Sequence, residues 1–179
     1  DHLAYEWDAA GDVGRTNSYM GFKYLGSEKN GVFLHPDVDT SFKVHYNSWS
    51  FRDFGSALGA PNNDVQRYER LSDGLQDNDD WETIQASIAA PSNRSILLSA
   101  GPYVTLMPGE SINVAFATVF ARRIDTGENP ATDSPGQRAD LEENLTWAQS
   151  AYNGEDSNFN GVLDPGDDAD QNGVITRYI

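Results

Sequence analysis

Apolar and polar residues alternate with a period of two in the first third of the chain. Met20, Phe22 and Tyr24 form one such pattern, a second spans 42–46, and 32–34 is a short apolar run. Alternation of this kind predicts strands with one buried face. We therefore expect β-strands and turns over residues 1–60.

The segment 94–124 carries the strongest strand pattern. The predicted strands are 95–98, 103–107 and 112–120, and Pro108 and Gly109 predict a tight turn between the last two. The strand 112–120 is apolar on both faces, which predicts that both faces are covered.

Three segments show helical spacing instead. The first carries apolar residues at 65, 68 and 71, with capping residues before it and Gly74 after it. The second is short and carries Trp81, Ile84 and Ile88. The third is predicted over 135–152, between a cap at Asp133 or Ser134 and a stop at 153–154. Its apolar stripe predicts a helix that docks on the sheet.

These elements predict a mainly β fold. We expect sandwich-like antiparallel sheets, of immunoglobulin-like or jelly-roll-like type, with short helices and one docked C-terminal helix. The predicted domain covers 1–153, and a calcium-binding tail or linker covers 154–179. Since the chain begins with Asp1 rather than Met, we expect it to be a processed product or a part of a longer polypeptide.

Composition narrows the function. The 179 residues include 12 basic and 28 acidic ones, so the formal net charge is −16, which opposes nucleic acid as a partner. The chain has no cysteine, which excludes disulfides and thiolate metal sites. No apolar run approaches the roughly 20 residues of a membrane span, so we expect no membrane insertion.

The tail carries a pattern of oxygen-bearing residues that repeats after twelve positions. The first unit has short polar side chains at positions one, three and five, then glycine, and further candidate ligands at seven, nine and twelve. Its residues are Asp156, Asn158, Asn160, Val162, Asp164 and Asp167. The second unit follows directly with Asp168, Asp170, Asn172, Val174 and Thr176.

This spacing points to calcium. Ca²⁺ binds six to eight oxygens, and a tight loop with Asp or Asn at alternate positions directs them to one centre, with the carbonyl oxygen serving at position seven. Without a cation the carboxylates would repel one another, and the segment 155–176 contains no basic residue. The glycine allows the sharp bend, and Leu163 is expected to fix the loop to the protein.

Residues 156–176 resemble the calcium repeats of thrombospondin type 3 and dockerin-like modules. The resemblance implies Ca²⁺ held by the side chains named above and by the carbonyl groups at position seven. Position twelve is Asp167 rather than the longer Glu of an EF-hand, and Pro165-Gly166 prevents a helix from leaving the first loop. We therefore expect a static clip rather than a sensor that opens.

The order of strands, helix and calcium loops also resembles a module of large secreted proteins of environmental bacteria. This resemblance implies an extracellular or cell-surface location and neighbouring modules of the same polypeptide as partners. We expect a non-catalytic structural module, with a homo-oligomer or filament left open.

Three alternatives remain at this point. A carbohydrate-binding module would use Trp7, Tyr46, Trp49 and Trp81 as a platform for a polysaccharide. A fragment of a secreted hydrolase or peptidase would show a deep pocket with converging acid, Ser or His groups. Adaptation to high salt would explain the acidity without a metal, although five aspartates fall between 156 and 170.

Overall fold

The computed structural model describes residues 2–9, 16–50, 58–129 and 132–177. The fold is mainly β, with two antiparallel sheets and three α-helices. The strands are β1 (Leu3–Trp7), β2 (Ser18–Lys29), β3 (Val32–Leu34), β4 (Lys43–Ser50), β5 (Arg94–Gly101) and β6 (Ile112–Arg122). The helices are α1 (Asp64–Ser72), α2 (Trp81–Ala89) and α3 (Ala139–Asn153), with one 3₁₀ turn at Leu75–Asp77.

The first sheet is organised around the long strand β2. Strands β1 and β3 pair with successive parts of one edge of β2, and β6 pairs with the other edge. A β-bulge between Tyr24 and Gly26 shifts the register against β6. The second sheet is the pair β4 and β5, and β5 contacts β1 and β2.

Helix α3 covers one face of the first sheet. Leu141 and Leu145 pack against Tyr19 and Ala121, while Tyr152 joins Leu25 and Phe33 in a second apolar cluster. Gly21 leaves room for this helix, because a Cβ there would lie 3.0 Å from Leu141 Cδ1. Docking of the C-terminal helix on the sheet is thus confirmed.

Several local predictions are confirmed. Asn63 caps α1 by accepting a hydrogen bond from the Gln66 amide at 3.0 Å. The Glu110 amide donates to the Met107 carbonyl at 3.0 Å and closes the predicted turn. Gly154 ends α3 with φ 59°, a conformation that favours glycine.

Other local predictions are wrong. Residues 103–107 form no strand, because Tyr103 and Thr105 are held through single contacts to Ser27 and Lys29 rather than a ladder. Helix α3 begins at Ala139, since the preceding turn directs the Gln137 carbonyl to the Ile124 amide.

Two apolar surfaces are less covered than their sequences predict. The stripe on α1 faces solvent, with Val65, Tyr68 and Leu71 at least half exposed. Strand β6 is covered on one face by α3, but Phe116 and Phe120 on its other face are 47% and 65% exposed. The prediction that both faces of this strand are covered is therefore wrong for the described residues.

Candidate metal centre

The two C-terminal loops, which we call loop one (156–167) and loop two (168–176), have the same backbone conformation. Phe159 and Gln171 at position four both have φ 59°. Gly161 and Gly173 at position six have φ 76° and 78°. Positive φ is the region that glycine tolerates best, which accounts for glycine at the sixth position of both loops.

The same main-chain amides are bound in both loops. In loop one, Asp156 accepts hydrogen bonds from the amides of Asn160 and Gly161, both at 3.0 Å. In loop two, Asp168 accepts from Asn172 at 2.9 Å and Gly173 at 3.0 Å. In each loop, the carboxylate at position one therefore holds the backbone at positions five and six in a tight turn.

The side chains at positions three and five repeat as well. Asn158 and Asp170 each accept from the amide two residues later, at 3.2 and 3.1 Å. Asn160 and Asn172 likewise accept from the amides of Val162 and Val174, at 2.7 and 2.8 Å. These short bonds place the three polar side chains at positions one, three and five of each repeat on the inner side of its turn, as the spacing predicts.

The two carboxylates at the C-terminal end of loop one, Asp164 and Asp167, point to different partners. Asp164 accepts from Asn158 and Asn160, at 2.7 and 2.8 Å, and so joins the inner group. Asp167 is directed to the Ser157 hydroxyl at 2.9 Å and the Asp164 amide at 3.3 Å. The structure therefore brings Asp164 to the first side chains of loop one and turns Asp167 away from them.

Position seven is exposed in both loops. Val162 and Val174 are 58% and 60% exposed.

Thr176 at position nine of loop two connects the end of the tail to its start. Its carbonyl accepts from the Glu155 amide at 3.1 Å, and its hydroxyl lies 3.2 Å from Asn172 Nδ2. The last described part of the tail is therefore hydrogen-bonded to its first residues.

Glu155 joins loop two although sequence reasoning did not select it. Its carboxylate and those of Asp168 and Asp170 offer oxygens within 4.8 Å of one another. Glu155 also accepts from the amides of Thr176 and Ala169, at 2.9 and 3.0 Å. These bonds, the Thr176 amide first, lower the pKa of Glu155. Glu155 directly precedes loop one, just as Asp167 directly precedes loop two. This repetition of an acidic residue before each loop was the sequence signal that could have identified Glu155.

Arg177 supplies a cation just beyond the segment that contains none. Its Nη2 lies 2.7 Å from Asp156 Oδ2, and the two side chains are 8% and 0% exposed. The guanidinium also lies 4.0 Å from the centre of the Phe33 ring and 5.6 Å from that of Tyr152. Position one of loop one is therefore already compensated by a buried arginine.

Loop one is fixed to β3 by an aromatic contact. The Phe159 ring meets Phe33 at 5.3 Å and His35 at 4.6 Å, edge to face in both cases. A Cβ at Gly161 would lie 3.2 Å from Phe33. Phe159, rather than the half-buried Leu163, is thus the residue that fixes loop one to the apolar cluster around Phe33.

A second cluster joins histidines that are distant in sequence. His2 Nε2 lies 3.2 Å from Asp37 Oδ1, and His35 Nδ1 lies 3.5 Å from Asp37 Oδ2. The His35 ring is buried and stacks on Tyr24 at 5.5 Å. Burial lowers the pKa of His35 to about 4, so its imidazole is neutral at pH 7. Its Nδ1 accepts from the Asp37 amide at 3.2 Å, which gives it a structural role in the core.

An open cleft of about 1500 Å³ separates the two sheets at one end. Of the four candidate platform residues, Trp7 and Tyr46 line it, together with Tyr5 and Arg94. Trp49 and Trp81 are not among its lining residues, so this cleft does not bring the four aromatics together. No histidine of the described chain lines the cleft either.

Comparison of the chain with protein-family models, with curated proteins and with solved structures finds no match. In the described residues, no helix has both the length and the apolar character needed to cross a membrane.

Proposed function

We propose that this chain is a non-catalytic, calcium-stabilised structural module of an extracellular or cell-surface bacterial protein. In this proposal the two sheets form a sandwich, and Ca²⁺ bound by the tail closes the C-terminal end of the module against β3. The neighbouring modules of the same polypeptide are the expected partners.

The observation that carries the proposal is the repeated arrangement of the two loops. The same positions carry positive φ, and the same carboxylate accepts the same two amides, in two successive units. Hard oxygen ligands of this kind suit Ca²⁺. In loop one the side chains that would hold it are Asp156, Asn158, Asn160 and Asp164, and in loop two they are Asp168, Asp170 and Glu155.

The contacts of the tail explain why bound calcium would stabilise the whole module. Phe159 and Arg177 connect loop one to Phe33 of the sheet. A cation that holds the loop in its folded form therefore also favours these contacts. Stabilisation by a bound ligand is about 2.7 kcal/mol at a hundredfold excess over its dissociation constant.

Thermal unfolding in millimolar CaCl₂ and in excess EDTA tests the proposal. For a chain of this length we expect calcium to raise Tm by about 5 to 10 °C. Magnesium at the same concentration should raise it less, because Mg²⁺ requires a tighter octahedral site. Asp156→Ala and Asp168→Ala should each reduce the calcium response.

The matched control is Asp79→Ala, which removes an exposed carboxylate outside the tail. This variant should keep the full calcium response, since it changes the net charge in the same way and touches neither loop. An identical Tm with and without calcium would contradict the proposal. So would a response that both loop variants retain.

A saccharide-binding module is the second candidate. It is favoured by the cleft, which Trp7 and Tyr46 line and where their rings could pack against a sugar. Titration with soluble oligosaccharides, followed by tryptophan fluorescence in wild type and in Tyr46→Ala, separates this candidate from the first. A response that Tyr46→Ala abolishes would favour it.

A further inference from the structure

Strand β6 has an open edge. In the part of the chain that the structure describes, β6 pairs with β2 and with no other strand. This edge runs along 11 residues, from Ile112 to Arg122, and Asn144 of α3 already binds the Phe120 carbonyl on it at 3.1 Å. A long apolar edge strand is a template for pairing with a further strand, and proteins usually protect such an edge with charge, proline or a covering element.

Two hydrogen bonds identify the residues that face this edge. The Arg123 amide donates to the Asn17 carbonyl at 3.1 Å, so odd-numbered residues direct their main-chain groups toward β2. The Phe120 carbonyl accepts from Asn144 Nδ2 at 3.1 Å on the opposite side. Main-chain groups of alternate residues point the same way in an antiparallel strand. The amides of Val114, Phe116 and Thr118 therefore face the open edge.

The same alternate residues form an apolar, uncharged surface. Val114, Phe116 and Phe120 are 45%, 47% and 65% exposed. The segment 111–121 contains no ionisable residue, although the chain as a whole carries a charge of −16. Repulsion between two copies of the chain is therefore weakest where this edge meets its equivalent.

Helix α3 extends the surface beside the strand. Asn144 reaches the Phe120 carbonyl from the helix, and Trp147 lies one turn further along the same side. The indole of Trp147 is 68% exposed. It would face the corresponding helix of a second copy if two such edges met around a two-fold axis.

One end of the edge carries a cation, and the other carries a carboxylate that is already paired with a lysine. Arg122 is exposed at one end and forms no ion pair within the described ranges. Glu110 lies at the other end, where it binds Lys29 at 3.4 Å and Asn30 at 3.0 Å. An antiparallel pairing of two β6 strands centred on Phe116 places each Arg122 opposite the Glu110 of the other copy.

We propose that β6 joins two copies of this chain into a two-fold dimer with one continuous sheet. The dimer pairs Phe116 with Phe116, Val114 with Thr118 and Ile112 with Phe120 across the new interface. Cross-strand apolar and aromatic pairs of this type stabilise antiparallel sheets. The proposal does not depend on calcium, because no residue of the tail takes part.

Sedimentation velocity over a range of protein concentrations tests the dimer. Wild type should pass from monomer to dimer and form no larger species, since a two-fold interface closes on itself. Phe120→Lys and Thr118→Pro should each weaken the dimer at least about tenfold. Thr118→Pro removes an amide from the open edge and leaves the ladder to β2 intact. Far-ultraviolet circular dichroism checks that both variants remain folded.

Tyr68→Lys is the matched control for Phe120→Lys. Tyr68 is an aromatic residue on α1 with a similar exposure of 71%, and it lies outside the proposed interface. Its variant should dimerise as wild type does. Measurements in CaCl₂ and in EDTA should both show the dimer, which separates this test from that of the calcium sites.

A mixing experiment tests the register. Arg122→Glu leaves two acidic ends, and Glu110→Lys leaves two basic ends, so each variant alone should dimerise about tenfold more weakly. An equimolar mixture restores both opposite-charge pairs and should recover dimers. A wild type that stays monomeric, assembles without limit or ignores both edge substitutions overturns the proposal. A dimer that is indifferent to the charge reversals overturns the register.

Discussion

Loop one and loop two share a backbone but differ in their surroundings. In loop one, Asp156 is fully buried, Arg177 neutralises it, and Phe159 connects the loop to β3. In loop two the carboxylates of Asp168 and Asp170 are more exposed, and Glu155 adds a third negative charge. The repeated sequence therefore determines the turn, whereas distant residues determine how its charge is balanced.

The largest effect is expected from removing the cation of loop one. Arg177→Met leaves the Asp156 carboxylate buried without its partner, which typically costs about 3 to 5 kcal/mol. In EDTA this should lower Tm strongly. Calcium should then stabilise the variant more than it stabilises wild type, because the metal would replace the lost guanidinium. Thermal unfolding of both proteins with and without calcium measures the difference.

Arg67→Met provides the control for this substitution. Arg67 pairs with Asp64 at 2.6 Å, but both side chains are largely exposed. An exposed pair of this kind contributes at most about 1 kcal/mol. If the two variants lost equal stability in EDTA, loop one would not depend on the buried pair, and the contrast between the loops would fail.

Local patterns predicted much of the fold. The alternation at Met20, Phe22 and Tyr24 identified β2 as a strand, but Tyr19 and Gly21 on the opposite face are more buried than Met20 and Phe22, because α3 packs on that face. Asn63 and Gly154 marked helix ends because capping is decided within a few residues. The turns of the two loops were predictable for the same reason, since Asp and Asn bind amides close to them in sequence.

Long-range contacts were not predictable in this way. Arg177 meets Phe33, and His2 meets Asp37 and His35, only after β3 has paired with β2 and the tail has folded back. The exposure of Phe120 depends on where the second sheet ends, which no pattern within β6 records. Sequence reasoning therefore identified candidate ligands well and their charged neighbours poorly.

Acid should affect the contacts of loop one through His35. Burial lowers the pKa of this imidazole from 6.5 to about 4, and Asp37, His2 and Lys23 also act on it. The neutral ring is favoured in the folded state, so its contribution is complete above pH 6.5 and is lost as the pH falls toward 4. The full change in pKa corresponds to at most about 3.4 kcal/mol. Because the ring touches Phe159, the anchor of loop one should weaken with it.

Chemical unfolding at several pH values between 7 and about 4 measures this loss. His35→Gln should be less stable at pH 7 but should lose less on acidification than wild type. His45→Gln changes an imidazole on β4, away from Phe159, and should retain the loss attributed to His35. Equal losses in wild type and His35→Gln would assign the acid sensitivity to carboxylates instead.

The smallest effect distinguishes the glycines of the two loops. Gly161→Ala and Gly173→Ala both place an alanine at a φ near 77°, which costs about 1 kcal/mol or somewhat more. At Gly161 the added Cβ would also lie 3.2 Å from Phe33, whereas nothing lies within 4 Å of it at Gly173. Gly161→Ala should therefore destabilise more, by about another 1 kcal/mol. Gly31→Ala, with φ 76° and open space, gives the cost of strain outside both loops. Equal unfolding free energies for all three variants would mean that loop one does not press on Phe33, because only that contact separates the three sites.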